Sequence, residues 1–168
     1  MDWLVFVVQW LHVILAILWF GGILYGDLIL IPALNTLPLP TQRAVGVAIG
    51  ARATGIMPAV AGAVILLGII RGTVFGPIKS LEALGTPYGV TWLVALVLAI
   101  ATFMFGQRIS GPSFERLASL SEAETLNADG TASAKLTTLA DQVKRYVLME
   151  LVLFVVIFTC MILMRFGL

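Results

Sequence analysis

The stretch WLVFVVQWLHVILAILWFGGILY, residues 3–25, decides the fold. It carries no Asp, Glu, Lys or Arg, and its only strongly polar side chains are Gln9 and His12. A bilayer core about 30 Å thick needs roughly 20 such residues wound as an α-helix. Inside lipid every backbone N–H and C=O must be paired within the protein, which leaves helices and closed barrels. A barrel strand is a segment of about ten residues with alternating polarity. This run is long and unbroken, so it predicts a helix. No Lys or Arg precedes it and it is too long for a signal peptide, so it is expected to stay as a permanent span.

Working outward, the apolar character continues past Asp27 to Leu34, more than one bilayer crossing requires. The helix is therefore expected to protrude or to bend near Gly21-Gly22, with Asp27 at the interface. Pro32, Pro38 and Pro40 suggest a turn-rich connection. Residues 41–53 read as a short interfacial helix. A second span is predicted over residues 54–70, with Pro58 in its first turns, where a missing N–H costs least. Residues 71–88 read as a Gly- and Pro-rich loop, and a third span follows over residues 89–106.

Residues 107–144 hold most of the charge. Ser113 is placed to cap a helix ending near Leu126, Asn127-Ala128-Asp129-Gly130 reads as a turn, and a second helix is expected from Thr131 or Ser133. That helix is predicted to run on into a fourth span over residues 145–164. The fold class is an all-α membrane protein, a single four-transmembrane-helix bundle with a cytoplasmic helical hairpin between spans 3 and 4.

Composition agrees. The chain is 60% apolar and only 11% charged, against about 25% charged in a soluble domain, so water is a poor solvent for it. A net charge of +1 and no basic stripe exclude nucleic acid as a partner. Cys160 is the only cysteine, which rules out an intrachain disulfide or a cysteine-based cluster. Arg43, Arg52, Arg108, Arg116, Lys135, Lys144 and Arg145 fall in the first and third connections, whereas Arg71, Lys79 and Arg165 fall on the other side. The positive-inside rule then places both termini outside, in a bacterial cytoplasmic (inner) membrane. Small residues at helical spacing predict close packing: Gly55, Ala59, Gly62 and Ala63; Gly68 and Gly72; Ala95, Ala99, Thr102 and Gly106. Whether they serve contacts within the chain, a homodimer or other membrane subunits stays open on sequence.

Polar groups inside a membrane are costly and mark functional sites. His12 is the only histidine, and an imidazole is a good ligand for haem iron or copper. Gln9, Ala16 and Trp19 share its helix face; Ala16 leaves room for a flat ring and Trp19 can pack on it. One histidine excludes a bis-histidine haem within a single chain and any multi-histidine copper site. A single axial ligand, a His–Met pair with Met57 or Met104 as sulfur partner, and a site shared between chains stay open. Arg71 suits a haem propionate or an interfacial anchor. Glu150 is either a proton-relay carboxylate or a partner of Lys144 and Arg145. No phosphate loop, metalloprotease motif or Ser–His–Asp arrangement can be assembled.

The pattern His12-x6-Trp19-Phe20-Gly21-Gly22 resembles the CopD and HemJ-like small bacterial membrane proteins, which include the copper-resistance D domain and the membrane-embedded protoporphyrinogen oxidase. Tyr25 and the run Ile56-Met57-Pro58-Ala59 are similar to the oxidase branch. The resemblance covers the first span well and the second weakly. It implies a four-helix bundle in which His12 holds a b-type haem. The oxidase pattern carries a lysine early in its third span, where Trp92 or a neighbour stands here, and a histidine late in it, where Phe103 or Met104 stands. Both departures count against porphyrinogen oxidation. Three functional readings follow: a haem b protein with a redox or electron-transfer role, a non-catalytic accessory subunit of a respiratory or photosynthetic complex, and a copper or small-solute carrier. The last ranks lowest because no internal repeat is evident.

Overall fold

The computed structural model describes residues 3–127, 131 and 133–168. The described residues are helical with short connections. Helix α1 spans Trp3–Tyr25 and passes through a π-helical turn, Gly26–Leu30, into α2 (Ile31–Leu34). Helix α3 spans Leu39–Thr73. A 3-10 turn (Glu82–Gly85) leads into α4 (Pro87–Phe105), which passes through a second π-helical turn, Gly106–Ser110, into α5 (Gly111–Ala118). A one-turn helix α6 (Glu122–Thr125) precedes α7 (Ala134–Arg165). Four helices are long and apolar enough to cross a membrane, and they form an all-α four-helix bundle.

The predicted first span is reproduced, as is the long fourth helix with Ser133 at its N-cap, whose hydroxyl accepts from Leu136 N–H at 3.1 Å. Three expectations are corrected. The irregularity in the first helix falls at residues 26–30, not at Gly21-Gly22. The interfacial segment 41–53 and the second span are one continuous helix, so Pro58 lies inside it rather than in its first turns. Ser113 caps nothing: it sits within α5 and donates to the Ile109 carbonyl at 2.7 Å. The charged hairpin is thus built largely from the spans' own helices, with α5 packed against α7. Of the turn predicted at 127–130, residues 128–130 lie outside the described residues.

The two π-turns share a cause and a sequence. In each, an amide bonds the carbonyl five residues back, Ile31 N–H to Gly26 O and Gly111 N–H to Gly106 O. In each, a proline follows, Pro32 or Pro112, which cannot donate and whose ring would clash with the carbonyl four residues earlier. Widening the turn absorbs that clash. Tyr25-Gly26-Asp27-Leu28-Ile29-Leu30-Ile31-Pro32 aligns with Phe105-Gly106-Gln107-Arg108-Ile109-Ser110-Gly111-Pro112. The match is confined to these turns, where Gly, Ile and Pro recur at the same positions; in the bundle α1 packs chiefly on α3, and α4 on α7.

The core joins Trp19 of α1, Val60, Ala61 and Val64 of α3 and Phe154 of α7. Trp19 meets Phe154 edge-on at 4.9 Å between ring centroids, and Phe20 stacks on Phe154 at 5.4 Å. Above this aromatic layer, towards the termini, the seam between α1 and α7 opens. Of the small-residue stripes, Ala95 and Thr102 face inward on α4 and Gly72 is buried on α3. Gly55, Ala59 and Gly62 point outward instead. Where nearly every position is apolar, spacing identifies a face but not which way it points.

Candidate functional site

The seam opens into a cavity of about 570 Å³ between the four spanning helices, within the usual range for a small-molecule site. Its layers follow from helix register. Trp19 and Phe154 make the floor, His12 stands two turns above Trp19, and Gln9 and Arg71 stand near the mouth with Arg165. Trp92 and Tyr88 of α4 close a further side.

His12 is held through one ring nitrogen. Its Nδ1 lies 3.0 Å from the Val64 carbonyl oxygen. A carbonyl only accepts, so Nδ1 carries the proton and Nε2 keeps its lone pair. Among the described residues Nε2 has no hydrogen-bond partner. Such a backbone contact on one nitrogen is the arrangement that orients a metal-ligating histidine. Gly68 makes the approach possible, because a Cβ there would stand 3.2 Å from His12 Cε1. One turn along α3, Trp92 Nε1 donates to the Gly68 carbonyl at 3.3 Å. His12 of α1 and Trp92 of α4 thus each hook onto α3 with one ring, only one of them able to bind a metal.

Arg71 Nε donates to Gln9 Oε1 at 2.8 Å, and its Nη1 reaches the Phe75 carbonyl at 3.4 Å. These contacts pin the guanidinium at the cavity rather than leaving it a free interfacial anchor. Arg165 lines the same mouth. Arg71 and Arg165 lie in the last turns of α3 and α7. Two guanidiniums at one end of an apolar cavity suit a ligand with paired carboxylates.

The structure brings Gln9, His12, Ala16, Trp19 and Arg71 to one cavity. It does not bring Met57 or Met104 there. Met57 packs against Gly22, where a Cβ would meet Met57 Cε at 3.1 Å; ten residues of helix put that about 15 Å below His12. Met104 lies twelve residues beyond Trp92, about 18 Å down the bundle. Sequence reading missed Trp92, Met161 and Arg165. They can be placed at the site only once the register between helices is known.

Glu150 belongs to a different region. It is buried on α7, eleven residues below Met161, and it pairs with neither Lys144 nor Arg145. Lys144 instead meets Asp141 at 3.9 Å. Ser110, buried in the second π-turn, lies beside Glu150. Asp27, from the first π-turn, lies within electrostatic range of Glu150, and its Oδ2 is buried without a partner among the described residues. The two widened turns thus bring Asp27 and Ser110 towards one buried carboxyl.

The fold and the cavity define a multi-pass α-helical membrane protein with an imidazole presented to an interior cavity. No protein-family profile, curated protein or solved structure matches the chain.

Proposed function

We propose that the protein holds a b-type haem in the cavity beside His12 and serves a redox or electron-transfer role in the bacterial cytoplasmic membrane. The observation that carries this reading is the Nδ1 contact with Val64 O, which fixes the tautomer and leaves Nε2 open beside the cavity. The remaining residues fit the group: Arg71 and Arg165 suit its propionates, and Trp19, Phe154 and Trp92 offer ring surfaces to a flat macrocycle. Haem supplies a one-electron couple when bound, and the protein tunes it through ligand identity, burial and hydrogen bonding. With both termini outside, the cavity mouth faces the exterior and the Glu150 region faces the cytoplasm.

An absorbance spectrum of the purified protein, oxidised and reduced, tests the proposal. A Soret band that splits or shifts on reduction and disappears in His12→Ala is expected. A wild-type protein that shows no band even after haemin is added overturns it.

A second reading has one observation of its own. Gly55, Ala59 and Gly62 leave a shallow strip on the outer face of α3, where a neighbouring helix can approach closely. This suits a homodimer or an accessory subunit of a larger membrane complex. Migration as a lone monomer in mild detergent counts against it.

A further inference from the structure

Helix register places one sulfur opposite His12. Trp19 and Phe154 are in ring contact and define where α1 and α7 meet. His12 lies seven residues before Trp19, and Met161 lies seven residues after Phe154. The two helices run antiparallel, so both steps lead the same way, towards the termini. Seven residues are two turns to within about 20°, and they rise about 10 Å. His12 therefore stays on the face of α1 that carries Trp19, and Met161 on the face of α7 that carries Phe154. Counted from the Trp19–Phe154 contact the two residues reach similar heights, and both line the cavity. Phe20 stacks on Phe154 at 5.4 Å and also meets Phe158 at 6.1 Å, so the contact between α1 and α7 continues from the floor towards Met161.

We infer that Met161 supplies the second axial ligand, its thioether facing His12 across the haem cavity. The inference rests on the haem reading and extends it to a coordination state. Met164 also lines the cavity, but it stands three residues nearer the mouth, about 4 Å higher, at the level of Gln9 and the guanidiniums. A His–Met set raises the potential of a haem relative to other axial ligands, which suits a protein that accepts electrons.

The test uses the full-length wild type, Met161→Leu, Met164→Leu and His12→Ala, each purified in detergent and supplemented with haemin. Leucine conserves volume, so the cavity wall is kept. Expected for the wild type is a low-spin, six-coordinate spectrum that does not bind carbon monoxide readily when reduced. Met161→Leu retains the haem but becomes five-coordinate and high-spin, binds carbon monoxide, and has a lower midpoint potential; Met164→Leu behaves as wild type. Helicity and melting by circular dichroism confirm that each variant is folded. A folded Met161→Leu with unchanged spin state and potential overturns the inference while the haem reading stands. Absence of haem from the wild type sinks the haem reading itself, and Met161 with it.

Discussion

At the residue scale the site turns on a missing side chain as much as on those present. Gly68 lets the His12 ring lie against α3, and an alanine Cβ there would stand 3.2 Å from Cε1. The imidazole has to give by a few tenths of an ångström, and its Nδ1 contact to Val64 O is what it gives up. If the cavity holds haem as proposed, Gly68→Ala is expected to weaken its retention by about 10–100-fold, the usual consequence of disturbing what orients a ligand. The fold should lose no more than about 1–3 kcal/mol, as for modest overpacking. Haemin titration alongside thermal melting separates the two effects. Gly72→Ala provides the contrast. Its Cβ would overlap the Trp92 indole, which is held by the Gly68 carbonyl. That variant should be destabilised more than Gly68→Ala while leaving His12 in place.

At the scale of elements, the connection between the third and fourth helices is a hydrogen-bonded latch. Glu124 Oε2 accepts from the Ser121 N–H at 2.9 Å and from its hydroxyl at 2.9 Å, a capping box on α6. Its other oxygen meets Lys135 Nζ at 2.6 Å. Ser133 donates to the Glu124 carbonyl and caps α7, and Arg43 of α3 donates to the Ser121 carbonyl at 3.2 Å. The Lys135 contact and the Ser121 hydrogen bonds pull the Glu124 carboxyl down to about 2 from its ordinary 4.5. A carboxyl whose folded value is depressed contributes stability above its ordinary value and loses it as pH falls towards the folded one. The latch is thus complete at neutral pH, weakens between about 4.5 and 2, and opens below that. The Ser121 amide resonance should titrate with a midpoint near 2 while amides in the membrane part of α7 stay unchanged. A midpoint in the ordinary carboxylate range would mean that the latch is not formed in solution.

The same scale shows what sequence could and could not reveal. Four apolar runs fixed the number of spans, and Ser133 announced the start of α7, because hydropathy and capping are local properties. Residues 41–53 and the segment after Ser113 read as helices of their own; what was hidden is that the first is continuous with the second span and that the second joins α4 through a π-turn. Polar residues and prolines at the joins look like breaks between helices. Of the site, His12, Gln9, Ala16, Trp19 and Arg71 were legible, since a lone polar group in an apolar run stands out without any partner. Met161 was not. It is one methionine among six, and only the Trp19–Phe154 contact gives it a height.

At the scale of the whole molecule the spanning helices are 32 to 34 residues long, about 50 Å at 1.5 Å per residue, against a hydrocarbon core of about 30 Å. The excess is gathered at one end. The connection over residues 74–86 stays close to the mouth of the His12 cavity, while α2, the start of α3, α5 and the start of α7 project together beyond the opposite face. Which face that is decides where a haem held as proposed would exchange electrons. The projecting end carries Arg43, Arg52, Arg108, Arg116, Lys135, Lys144 and Arg145, and the cavity end carries Arg71, Lys79 and Arg165. By the positive-inside rule the projecting end is expected in the cytoplasm. Cys160 is the only cysteine and is buried, so a cysteine introduced at an exposed position is read against little background. Ser80→Cys, in the connection over 74–86, should react with a membrane-impermeant maleimide on intact cells. Ser119→Cys, just beyond α5, should react only after the cells are opened. The reverse pattern would turn the molecule over and place the Arg71–Arg165 mouth in the cytoplasm, giving any haem bound there a cytoplasmic rather than an external redox partner.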